Sequence, residues 1–357
     1  MTEKWIFWLH ELSKDDNNVV GKKCANLGEM TCAGFRVPPG YALSITAYRR
    51  FMEESGAIEE ARKYLSGFKA DPNVTADTMK FDEASKMMRD IAESREVPGD
   101  MAEAIVKYYE EMCEKAAKKD LPVATRSAGP VSHPGQYESY LFVQGADDVV
   151  KNVKRVWSST FNTRSLVARA RLGLSLEFDP IGVAVLTMVD AKAAGVMFTI
   201  NPLDGDLSKV VIEGNWGLGE AVVSGSVTPD RFAVDKVTFE IGQRTVSKKD
   251  VEYVFDFKKK EVGYCEMPSG RRELPCLEDK EIIELTKIAK KLEDHYGCPQ
   301  DIEWSIDKNL PFPESIFLVQ CRPETVWSKR SEGPVIGTKS GYELLMERAM
   351  KRIKINN

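Results

Sequence analysis

Near its end the sequence carries four polar side chains whose spacing could hold a cation and an anion together. In Asp301-Ile-Glu-Trp-Ser305 and Leu318-Val-Gln-Cys-Arg-Pro323, polar and apolar residues alternate, the period of a strand with one wet and one buried face. Asp301, Glu303 and Ser305 share one face, with Ile302, Trp304 and Ile306 on the other. Gln320 and Arg322 likewise share a face, opposite Phe317, Val319 and Cys321. If Lys308–Ser315 closes an antiparallel hairpin pairing Asp307 with Ile316, Glu303 lies opposite Gln320 and Asp301 opposite Arg322. Mg2+ takes one or two protein oxygens and completes its shell with water and phosphate. Glu303 and Gln320 can supply those oxygens. An edge hairpin with charged outer residues would show the same pattern, so the patch needs company.

Lys23 follows Gly21 at the start of a helical pattern, where an ammonium and backbone donors can meet phosphate; a solvated lysine fits as well. The spacing is not that of a Walker loop. Arg126 ends an apolar strand before Ser127-Ala-Gly129, placed either to fork onto phosphate oxygens or to pair with a surface carboxylate. Gly129 and Gly135 flank a loop whose amides could form an anion nest, with Gln136 beside it. His133 lies in that loop and is the one histidine near the proposed phosphate site. Glu213-Gly-Asn-Trp-Gly-Leu-Gly-Glu220 is a second glycine-rich stretch, without the spacing of a dinucleotide loop.

These groups need elements to hold them. Helices are expected over Lys22–Ala33, Thr46–Ser55, Ala57–Phe68, Ala84–Ser94, Asp100–Lys119 and, as one long segment, Asp147–Leu172. Strands are expected at Pro122–Arg126 and Tyr137–Val143, and from Gly182 onward the pattern turns to β, with Thr245–Pro275 charged and turn-rich. The stripe Ile282, Leu285, Ile288, Ala289, Leu292 makes Leu277–Tyr296 a helix ended by Gly297. Lys329–Thr338 reads as a linker and Tyr342–Ile355 as a basic amphipathic helix. The expectation is an N-terminal lobe over 1–185, a second lobe over 186–327, and a tail over 328–357.

The chain of 357 residues is long enough for about two domains. A net charge of −5 speaks against a nucleic-acid binder. Seven cysteines without a CxxC pair point to reduced thiols rather than a disulfide framework or zinc site. No run reaches the roughly 18–20 apolar residues of a membrane span, and the N-terminus does not read as a signal peptide. A cytoplasmic, soluble protein with no membrane partner is expected.

Taken together, Gly21–Met30, Val37-Pro-Pro-Gly-Tyr41, Ala124-Thr-Arg-Ser127, Pro134-Gly-Gln-Tyr-Glu-Ser139, Gly195-Val-Met-Phe-Thr199, Trp216-Gly-Leu-Gly-Glu220, Asp301-Ile-Glu-Trp304 and Gln320-Cys-Arg-Pro-Glu324 resemble the N-terminal nucleotide-binding part of phosphoenolpyruvate synthase and pyruvate phosphate dikinase. The resemblance implies an α+β, two-lobed ATP-grasp-like fold with ATP and Mg2+ between the lobes. It implies that Lys23 and Arg126 bind phosphates and Glu303 and Gln320 hold Mg2+, with Asp301 and Arg322 completing the polar cluster. Gly135 and Gln136 would cover the phosphates, and Glu213 would lie near the adenosine. The loop from Arg126 to Gly135 is shorter than the synthase pattern and holds Ser132-His-Pro134 in place of an acidic, alanine-rich segment.

In the multidomain enzymes a swivelling domain carries the histidine that accepts phosphate, and a barrel binds pyruvate. Neither pattern occurs in this sequence, so a separate subunit with the phosphohistidine and the acceptor site is expected. That split organisation resembles phenylphosphate synthase, with phenol as acceptor. Pyruvate as acceptor, a stand-alone phosphotransferase using His133, and a non-catalytic nucleotide-sensing scaffold are the alternatives.

Overall fold

The structure, a computed structural model, describes residues 4–130, 136–256, 261–325 and 327. Gly135, His133, the expected linker and the expected terminal helix lie outside the described residues.

The first sheet is five-stranded and antiparallel, built from β1 (Ile6–Trp8), β2 (Gly40–Leu43), β3 (Val123–Ala128), β4 (Ser139–Val143) and β5 (Gly182–Thr187) in the order β1-β2-β5-β3-β4. Its central strands are buried on both faces, and side-chain size sorts the faces. Tyr41, Leu43, Val123, Val183 and Val185 pack against the helical layer, around Trp157 stacked between Tyr48 and Phe51. Ala42, Ala128 and Ala184 alternate with them and face the helix Lys22–Cys32. Small residues let that helix approach closely.

The second sheet is six-stranded: β6 (Ala191–Phe198), β7 (Lys209–Trp216), β8 (Asp230–Asp235), β9 (Ile241–Thr245), β12 (Gln300–Asp307) and β13 (Ile316–Pro323), in the order β13-β12-β6-β7-β8-β9. A two-stranded ribbon, β10 (Val251–Asp256) and β11 (Glu261–Glu266), is inserted between β9 and β12. The helix Asp279–Tyr296 covers one face through Ile282, Leu285, Ala289 and Leu292, packed with Ile302, Trp304 and Ile306. It starts with a capping box at Glu278 and ends at Gly297 in the left-handed region, φ +69°.

Three expectations are corrected. The expected helix Asp147–Leu172 is two helices, Ala146–Ser158 and Thr163–Arg171. Between them the hydroxyls of Ser158, Ser159 and Thr160 bond back to the carbonyls of Arg155, Val156 and Trp157, and Asn162 caps the second helix through Ser165 N at 2.8 Å. The turn-rich stretch 245–275 contains the β10–β11 ribbon. A fully buried ion pair fixes its base: Asp230 accepts from Lys249 Nζ at 2.6 Å and Ser247 N at 2.9 Å on one side of the insertion, and Cys276 N at 2.8 Å on the other. The β12–β13 hairpin pairs Ile306, not Asp307, with Ile316.

Gly21 explains how the Lys22–Cys32 helix seats. It has φ +81°, and a Cβ there would stand 1.8 Å from Ala128 O. The next amide, Lys22 N, donates to Gly129 O at 2.9 Å. The helix start is therefore pinned to the end of β3. Gly21→Ala should cost about 2–4 kcal/mol of stability, since both strain and overlap must be relieved. Gly34→Ala, at φ +83° but with open space around it, should cost about 1–2 kcal/mol. Urea unfolding of both variants checks this; equal losses would mean that the contact at Ala128 is not tight.

Candidate functional site

The Lys22–Cys32 helix lies between the two sheets, and a cleft of about 970 Å³ opens beside it. Lys22, Lys23, Asn26, Arg126, Arg164, Glu303, Gln320 and Arg322 all line the cleft, with Met188 and Val189 from the crossing between the sheets. The volume is of the size that holds a drug-sized or nucleotide ligand. The cations Lys22, Lys23, Arg126, Arg164 and Arg322 outnumber the lining carboxylates Glu138, Glu220 and Glu303, so the cleft favours an anion.

The hairpin carries one wall. Asp301 sits opposite Arg322 and Glu303 opposite Gln320. A β-bulge follows, because Trp304 pairs with Leu318 and leaves Val319 as the extra residue. The bulge exchanges the faces of the residues before it. Leu318 enters the core beside Cys321, and Phe317, expected on the core side, lies under Arg36 at 4.9 Å.

Arg126 reaches this wall from the other sheet. It lies on the same face of β3 as Ala128 and opposite Ala184, the face covered by the Lys22–Cys32 helix. Its Nη2 donates to Glu303 Oε2 at 3.0 Å and its Nη1 to the bulged Val319 carbonyl at 2.8 Å. Arg322 grips Asp301 Oδ2 through Nε at 2.8 Å and Nη2 at 2.7 Å. Burial pushes the Asp301 carboxyl up, and Arg322 pulls it only part of the way back.

Lys23 projects into this arrangement, partly buried and with no hydrogen-bond or ion-pair partner among the described residues. Loss of hydration pushes its ammonium down to about 8; Arg126 adds repulsion, and Glu303 opposes the shift. An ammonium without a partner beside a guanidinium is a strained pair that a polyanion relieves.

Glu303 keeps Oε1 without a hydrogen-bond partner, and the Gln320 amide has none, among the described residues. Both can therefore turn to a cation. No group of three or more His, Cys, Asp or Glu side chains able to hold a metal occurs among the described residues. Two oxygens fit a Mg2+ ion that arrives with phosphate rather than one caged by protein.

Two expected site residues stand elsewhere. Gln136 is buried outside the cleft lining, its Nε2 bonded to Ser165 Oγ at 3.2 Å and its carbonyl to Asn162. Glu213 shares a face with Glu303 but lies on β7, two strands along the sheet. It pairs there with Arg231 at 3.3 Å, outside the cleft lining. The sequence reading missed Asn26, Arg164, Met188 and Val189. For Asn26 the signal was its spacing, three residues after Lys23 and so on the same helix face.

The Lys23 shift gives a signed pH dependence. Anion binding uses the charged amine, so affinity for metal-free ATP should fall several-fold as pH rises from 7 to 9, through about 8. Lys23→Met should bind about tenfold more weakly at pH 7 and lose the step. Calorimetry across that range checks both; an unchanged step in Lys23→Met would assign it to another group.

A family model described as pyruvate phosphate dikinase, AMP/ATP-binding domain, matches residues 17–341. A probable phosphoenolpyruvate synthase of Staphylothermus marinus is 39% identical over 357 residues, covering 92% of this chain and 42% of that protein. One of Methanocaldococcus jannaschii is also 39% identical, covering 91% of this chain and 27% of that protein. The phosphoenolpyruvate synthase of Aeropyrum pernix is 37% identical, covering 93% and 44%. The chain spans less than half the length of these curated relatives. No helix among the described residues is long and apolar enough to cross a membrane. The matched span takes in Lys23, Arg126 and both strands of the hairpin, and the chain belongs to the pyruvate phosphate dikinase AMP/ATP-binding family, with its α+β nucleotide-binding fold.

Proposed function

We propose that this chain is the ATP-binding part of a dikinase-type phosphotransferase. In this reading a histidine attacks the β-phosphorus of ATP, the bond from Pβ to the bridging oxygen on Pα breaks, and AMP leaves. The diphosphoryl-histidine then loses phosphate to water and passes its remaining phosphoryl group to an acceptor. The convergence of Lys23 and Arg126 on Glu303 and Gln320 in one cationic cleft carries the proposal.

Lys23 and Arg126 hold the β- and γ-phosphates and take up their charge. Glu303 and Gln320 would hold Mg2+, and Asp301 steadies the Arg322 guanidinium at the same wall. Mg2+, when bound, would neutralise and orient the phosphates. Such chemistry works by positioning and charge neutralisation, without a protein nucleophile in the cleft. Among the described residues that agrees with the histidines, since neither His10 nor His295 lines the cleft. The attacking histidine is proposed to come from another domain or a separate subunit.

For the acceptor, the relatives named phosphoenolpyruvate synthase support pyruvate over phenol. The two-lobed ATP-grasp-like description of the cleft belongs to the same proposal.

The product decides the reading. The full chain, with whatever domains or proteins copurify with it, should convert ATP to AMP and phosphate in the presence of pyruvate and Mg2+. ADP as the nucleotide product would exclude a dikinase. Glu303→Gln and Gln320→Ala should each lower kcat/KM about 10²–10³-fold while the thermal midpoint stays within a few degrees of wild type. Full activity in either variant would remove that residue from the metal site.

A further inference from the structure

We infer that Asn26 is a positioning residue for Gln320, so that one helix sets both the phosphate-binding ammonium and the direction of a metal-binding amide. The inference deepens the proposed function and rests on its assignment of Gln320 to Mg2+.

β13 is the outer strand of its sheet. Beyond β12 it has no other strand to fix it, and Gln320 comes directly after the bulge at Val319. Ladder pairing alone holds such a residue loosely, because the bulge interrupts the ladder on one side. The first sheet and its helix supply the missing constraint. The two carbonyls that flank Gln320 are both taken by side chains from the N-terminal half: Val319 O by Arg126 Nη1 at 2.8 Å, and Cys321 O by Asn26 Nδ2 at 2.8 Å. The backbone of Gln320 is gripped on either side.

Asn26 and Lys23 are three residues apart on the helix Lys22–Cys32, hence neighbours on one face, and both line the cleft. The helix start is pinned at Gly21 against β3. The spacing between Lys23 and Gln320 is therefore set by a rigid element through the Asn26–Cys321 hydrogen bond on one side of Gln320. Arg126 on the Val319 carbonyl and the Arg36 carbonyl on Leu318 N hold the other side. Arg126 serves the same wall but also touches Glu303, so Asn26 is the partner whose removal isolates the positioning effect.

The test is calorimetry on the full chain with ATP plus Mg2+ and with ATP plus EDTA. Four variants are compared: Asn26→Ala, Asn26→Leu, which keeps the bulk but removes the donor without adding charge, Asn26→Gln and Gln320→Ala. Loss of a hydrogen bond that orients a ligand is worth about 1 kcal/mol or more. Asn26→Ala and Asn26→Leu should therefore bind MgATP roughly 5–10-fold more weakly yet bind metal-free ATP within about twofold of wild type. Asn26→Gln, which retains the donor, should recover part of the loss. If the Asn26 variants weaken both forms equally, Asn26 is only a tether between the sheets and the inference fails. If Gln320→Ala loses the Mg2+ dependence while the Asn26 variants keep it, the inference fails alone. If Gln320→Ala keeps it, the metal assignment and the inference fail together.

Discussion

A single guanidinium joins the two sheets at the point where the chemistry is proposed. Arg126 leaves the first sheet, and its two terminal nitrogens end on the second, at Glu303 and at the Val319 carbonyl. The second contact exists because β13 is bulged there. The rest of the arrangement serves this crossing. Alanines on one face of the first sheet admit the Lys22–Cys32 helix, Gly21 seats its start, and the helix brings Lys23 and Asn26 to the same wall.

The site carries charge that its own residues do not balance. Lys23 stands near Arg126 and Arg322, and both lower its proton affinity, while Glu303 offsets them only in part. Asp301 remains harder to ionise than a free aspartate despite Arg322. Desolvation outweighs pairing in both cases, the usual balance for charges held in a crevice. On the proposed function, a polyphosphate with its cation would supply the missing negative charge and a counter-charge for Glu303.

Some of this was legible in the sequence. Strict alternation in Asp301–Ile306 fixed faces correctly, and the pairing of Asp301 with Arg322 and Glu303 with Gln320 follows from it. The turn end slipped by one residue because one inserted residue, Val319, leaves each half of the alternation intact and so is invisible to it. The helix Asp279–Tyr296 stood out through a clean stripe and a glycine stop. The ribbon β10–β11 did not, because its strands are partly exposed and charged, and its base is fixed by the pairing of Lys249, just before β10, with Asp230 on β8, a contact outside the ribbon's own pattern. Gln136 and Glu213 show a different limit. Proximity to a glycine-rich stretch says where the backbone runs, while side-chain direction was decided by Ser165 and Arg231.

The most direct measurement is a crystal structure of the chain with Mn2+ and a non-hydrolysable ATP analogue, with the metal located by its anomalous scattering. The account predicts the Mn2+ peak bound by the Glu303 carboxylate and the Gln320 amide oxygen, with analogue phosphates against Lys23 and Arg126. A metal held elsewhere, or phosphates bound away from Lys23 with Arg126 still on Glu303, would contradict it.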